Sequence, residues 1–75
     1  MNNITTTTGD YTGFHGLKGC THCFWVHFSE PILDENEELA EGLALDLLER
    51  EVGIVILSVF DWRDDQEVWI HYNLE

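Results

Sequence analysis

The sequence predicts an α+β domain in which one helix packs on a small, mostly antiparallel sheet of three or four strands. Three observations predict it. Apolar and polar residues alternate with period two over 23–29, apolar residues recur at helical spacing over 39–48, and two strand-like runs, 54–60 and 67–74, are joined by turn residues. Residues 1–75 read as a single domain, with an irregular N-terminal segment over 1–22 and a strand, helix, hairpin core over 23–75.

The N-terminal segment combines the run Thr5 to Thr8 with Gly9, Gly13, Gly16 and Gly19, which predicts loop with a short edge strand near Ile4 to Thr8. Phe24, Val26 and Phe28 then alternate with Trp25 and His27, a half-buried strand ended by Pro31. Asp34 and Glu37 have the spacing of a capping box, so the helix is expected to start there. Leu39, Ala40, Leu43, Ala44, Leu47 and Leu48 form its apolar face, Leu45 lies at the border, and Gly53 is the stop. The run Ile54 to Phe60 is apolar at both parities and reads as a central strand. Asp61 to Gln66 supply a turn. In the last strand Val68, Ile70, Tyr72 and Leu74 face inward, and Glu67, Trp69, His71 and Asn73 outward.

Composition bounds the function. Fifteen Asp and Glu against three Lys and Arg give a net charge of −12 on 75 residues. Phosphate backbones and anionic lipid repel such a chain, so direct nucleic-acid and membrane binding are not expected, and its partner should be basic. Self-repulsion predicts a monomer. Leu, Ile, Val and Phe make up nearly a third of the residues, enough for a core despite the charge. The start carries neither a basic nor an apolar leader region, and two cysteines are too few for a disulfide framework, so a cytoplasmic protein is expected.

The charge is concentrated: residues 30–75 hold fourteen of the acids beside Arg50 and Arg63. On the helix Glu35, Glu38, Glu41, Asp46 and Glu49 lie off the leucine stripe, and like charges three or four positions apart stand about 5–6 Å from one another. Such pairs cost tenths of a kcal/mol each; the macrodipole gives Glu35, Glu37 and Glu38 at the N-terminus a structural reason, but not Glu49 and Glu51 at the C-terminus. A second cluster, Asp61, Asp64, Asp65 and Glu67, sits at the turn. Solubility needs a net charge of only about 2–8 in magnitude. Two carboxylate rows on a small rigid body approach the charge density of duplex DNA, about one charge per 1.7 Å of axis, and suit a DNA-binding channel.

A short, strongly acidic chain with an Asn/Thr-rich start, no enzyme motif and a strand, helix, hairpin plan resembles the phage-encoded small anti-CRISPR proteins, in particular the type I-C inhibitors that act as DNA mimics. The likeness covers the whole chain in length, charge and general character, without a diagnostic motif. It implies an inhibitor that docks on the basic DNA-binding surface of a Cascade complex, on the large PAM-reading subunit, and blocks target DNA in the bacterial host cell. The residues fitting that pattern here are the nine carboxylates just named. Acidic mimics of other basic nucleic-acid-binding proteins share the same surface chemistry.

A rival constellation is His15, Cys20, His22, Cys23 and His27. Cys20-x-x-Cys23 has zinc-knuckle spacing and imidazoles could complete a tetrahedral set, which makes a zinc-binding adaptor the alternative. The customary second pair of ligands a dozen or more residues on is missing, and the default reading is a pair of reduced or buried thiols with ordinary strand histidines, a local Cys20–Cys23 disulfide being a further option. No cofactor is expected. Neither is catalysis: GxSxG, phosphate-loop, HExxH and EF-hand spacings are lacking, and a surface row of carboxylates lacks the differently tuned pair that acid–base chemistry requires. Among the aromatic residues core packing is the default, while Trp62 beside the acidic turn and Trp69 on the outward parity are candidates for a partner's arginine, or for a second core layer.

Overall fold

The computed structural model describes residues 4–11 and 19–74. One helix packs on one face of a four-stranded antiparallel sheet, as expected from the sequence. The strands are β1 (Thr6–Tyr11), β2 (His22–Phe28), β3 (Val55–Trp62) and β4 (Glu67–Leu74), and the helix α1 spans Glu37–Val52 after a 3-10 turn, Asp34–Asn36. The order across the sheet is β1-β2-β4-β3. β2 and β3 therefore run parallel with β4 between them, and α1 is the crossover that carries the chain from one to the other.

The core lies between α1 and the facing parity of the two central strands. Phe24, Val26 and Phe28 of β2 meet Val68, Ile70 and Tyr72 of β4, and Ala40, Ala44 and Leu48 cover them from the helix. The register puts Phe24 opposite Ile70 and Val26 opposite Val68, so both strands present the same face, and Phe60 and Trp62 of β3 continue it. The parity expected for β4 holds through Tyr72; Leu74, beyond the end of the core, is exposed.

Several expectations change. The N-terminal strand is longer than 4–8 and shifted, pairing residue by residue with β2 from Thr6 opposite Phe28 to Tyr11 opposite Cys23. Gly9 is part of it, paired with Trp25. Residues 12–18 of the expected irregular segment lie outside the described residues.

The Asp34–Glu37 capping box does not form. The 3-10 turn satisfies the first N–H groups with backbone carbonyls instead: Asn36 N donates to Leu33 O at 2.8 Å and Glu37 N–H to Asp34 O, so no carboxylate is needed there. Gly53 does end the helix, at φ 87°, a conformation that favours glycine, with its N–H on Glu49 O at 3.0 Å.

The apolar helix face is narrower than the leucine stripe suggests. Ala40, Ala44 and Leu48, four apart, are its buried centre, while Leu39 and Leu43 are 61% and 38% exposed. Two alanines let the helix approach the sheet closely, and a residue one position earlier points about 100° around the cylinder, off that narrow contact. Leu45, expected at the border, packs against the core.

β3 is an edge strand, not a central one. The tight turn folds β4 back against it, and the other side of β4 pairs with β2, leaving β3 at the rim. Ile54 and Ile56 are accordingly 67% and 62% exposed, and the register slips between Val55 and Leu57, so that Ile56 has no cross-strand partner.

Candidate functional site

The start of the helical acidic stretch and the acidic β3–β4 turn, some thirty residues apart in sequence, meet at one end of the molecule. Backbone bonds hold the segment before the helix against the β3–β4 turn: Ile32 N donates to Asp65 O at 2.6 Å and Phe28 N to Gln66 O at 2.7 Å. A side-chain bond ties the helix to the same region, with Trp62 Nε1 donating to Glu41 Oε2 at 2.8 Å. The turn is stiffened by Gln66 N on Asp64 Oδ1 at 2.7 Å and by Arg63 N on Glu67 O at 2.9 Å. The beginning of α1 and the hairpin tip thus share one acidic surface.

The nine carboxylates are not equivalent, and Asp46 and Glu49, on the last turns of α1, lie toward the other end of the helix. Glu35, Glu38, Glu49 and Asp65 are exposed side chains. Glu41 is half-buried and occupied by the Trp62 indole. Asp46 pairs with Arg50 one helical turn on at 2.9 Å, both exposed, a contact worth about 0.3–0.5 kcal/mol. Asp61 holds Arg63 at 3.0 Å, Asp64 shapes the turn, and Glu67 accepts from Trp69 Nε1 at 2.7 Å and faces His27 Nδ1 at 3.3 Å. Five of the nine therefore also have structural work, and the four exposed ones are the most available to a partner.

Trp62 is a correction to the expected exposed anchor. It stacks on Phe28 with ring centroids 6.0 Å apart, packs against the core and gives its N–H to Glu41, so it joins helix to sheet. Trp69 lies on the outward parity, half-buried, with the Arg63 guanidinium 4.4 Å from its ring centroid and Tyr11 at 5.1 Å. That face also carries Trp25, for which core packing was expected. Both are parts of a second layer that sequence parity leaves open, because nothing in the pattern says what covers the far side of a sheet.

His71, expected outward, is only 4% exposed in that layer. Its Nε2 lies 3.5 Å from Asp61 Oδ2, too long for a good hydrogen bond, and neither ring nitrogen has a hydrogen-bond partner. Burial pushes the Cys23 thiol beside it up to about 11, with Asp61 acting in the same direction and Arg63 against it, and burial raises Cys20 as well. Neutral, buried thiols are poor nucleophiles.

The members of the zinc constellation do not converge. His22 and Cys23 are neighbours on β2 and point to opposite faces, His22 stacking on Tyr72 at 5.2 Å, while His27 is four residues further along, beside Glu67. His15 lies outside the described residues. Among the described residues no group of three His, Cys, Asp or Glu is placed to hold a metal ion, and no helix is long and apolar enough to cross a membrane. At the end opposite the acidic surface a half-open cavity of about 260 Å³ lies between Asp10, His22, Tyr72 and Val52.

No family model, no curated protein and no solved structure matches this chain.

Proposed function

We propose that this protein is a non-enzymatic inhibitor that works as an acidic DNA mimic, docking as a monomer on the basic, PAM-reading surface of a type I Cascade complex, type I-C by resemblance, in the cytoplasm of a bacterial host. One observation carries the reading: backbone hydrogen bonds bring the acidic start of the helix and the acidic hairpin tip, distant in sequence, to one end of the molecule, in a chain with only three Lys and Arg. The scale supports it. The longest dimension is 31 Å, and duplex DNA of that length carries about 18 phosphate charges, the same order as the net −12 here. Lys and Arg that neutralise phosphates would be neutralised by this surface, with steered association and steep salt dependence.

The test is target-DNA binding by purified type I-C Cascade with and without the protein at two salt concentrations. Competition that weakens at high salt is expected. A variant with Glu35, Glu38 and Glu49 changed to Gln and Asp65 to Asn should keep its circular dichroism and lose most of the inhibition, because the four exposed side chains make no hydrogen bond or ion pair among the described residues and the dipole term of Glu35 and Glu38 is small. Undiminished inhibition by that variant, or none by the wild type, refutes the proposal. In the latter case another basic nucleic-acid-binding protein becomes the target to seek.

A further inference from the structure

The sheet face turned away from α1 offers a second kind of contact. Trp25 and Trp69 are directly opposite each other in the β2–β4 register. Trp25 is spread over the β1 backbone at Gly9: a Cβ on Gly9 would sit 2.7–2.9 Å from three atoms of the indole, closer than any side chain tolerates. The glycine thus lets the ring lie on the strand, and Trp25 is only half-buried there. Trp69 shows what such a ring attracts. The chain's own Arg63 places its guanidinium 4.4 Å from the Trp69 centroid and donates to Asp61 Oδ2 at 3.0 Å. Indole below and carboxylate at the rim form a guanidinium site, and Arg63 fills it. On the same sheet face Glu67 lies two residues along β4 from the position opposite Trp25, and it accepts from the Trp69 N–H and faces His27.

The geometry points to Trp25, seated on Gly9 with Glu67 on the same sheet face, as a docking platform for an arginine side chain on a basic protein partner. The occupant is a guanidinium for two reasons. The surrounding charge excludes a nucleobase with its phosphates, and a planar cation stacks on an indole while still reaching a carboxylate, which an ammonium does less well. The inference deepens the acidic-mimic reading and rests on it: carboxylates would attract any basic surface, and the platform would select arginine over lysine.

The experiment titrates the full 15N-labelled chain with hexa-arginine and, separately, hexa-lysine peptide, following the indole N–H signals and the dissociation constants. Hexa-arginine should bind about five-fold more tightly and shift the Trp25 indole signal to saturation. Trp25→Leu, which keeps bulk without a π face, should reduce arginine binding to the lysine level, and Gly9→Val, which drives the ring off the strand, should do the same. If either variant fails to fold, the wild-type Trp25 signal decides. Equal binding of both peptides, or an unmoved Trp25 signal, overturns the platform and leaves the acidic-surface reading standing, whereas no binding of either peptide overturns both.

Discussion

Glu41 is the carboxylate whose role can be settled by thermodynamics alone. The change Glu41→Gln preserves shape and removes the charge from the hydrogen bond that Trp62 Nε1 donates at 2.8 Å. A bond to a charged group contributes about 1.5–3 kcal/mol and a neutral one about 0.5–1.5, so the loss is expected near 1 kcal/mol. In a domain of this size that lowers Tm by about 4–8 °C. Relief of like-charge repulsion on the helix works the other way, by tenths of a kcal/mol, so a double-mutant cycle with Trp62→Phe is needed to isolate the bond. Urea unfolding followed by circular dichroism at 222 nm supplies the four stabilities, free of the fluorescence change that loss of a tryptophan brings. Glu41→Gln should cost about 1 kcal/mol in the wild-type background and close to nothing in Trp62→Phe, a coupling of about 1 kcal/mol. Identical effects in both backgrounds would refute the reasoning and return Glu41 to the carboxylates available to a partner.

Two further outcomes are expected. Leu48→Ala, at a fully buried position where helix meets sheet, should cost about 2–5 kcal/mol by transfer and cavity terms, read as a large drop in the urea midpoint, whereas Leu39→Ala on the exposed flank should shift it little. Cys23, protonated in the native state up to about pH 11 against an ordinary thiol value of 9.0, should resist Ellman's reagent at pH 8 until the chain unfolds. Because the folded pKa is the higher one, the native state keeps a proton that the unfolded chain releases; that contribution is complete below about pH 9 and is lost as pH rises to about 11. The stability of wild type should therefore fall more steeply across that window than that of Cys23→Ala, and parallel slopes would contradict the burial of the thiol.

The sequence by itself determined the kind of fold and the sign of the molecule's own field. Period-two alternation in 24–28 and 67–74 dictates strands, because neighbouring side chains must leave opposite faces, and Gly53 dictates a helix end, because it adopts a φ that side chains avoid. Net charge is additive along a chain, so the strongly negative field could be read from composition alone. Strand order could not. The apolar run of β3 suits a buried strand, and only the pairing of β4 with β2 shows that the rim is where it lies. Nor could sequence separate free carboxylates from engaged ones, since Glu38 and Glu41 look alike until the fold brings the Trp62 indole to one of them. Gly9 reads as a loop residue and Trp25 as core; their relation exists only once β1 lies antiparallel to β2 in a register that puts one opposite the other. Patterns local to an element are set by the backbone's own periodicity, whereas edges, second layers and the partners of individual side chains depend on contacts between residues far apart in sequence, which only tertiary packing decides.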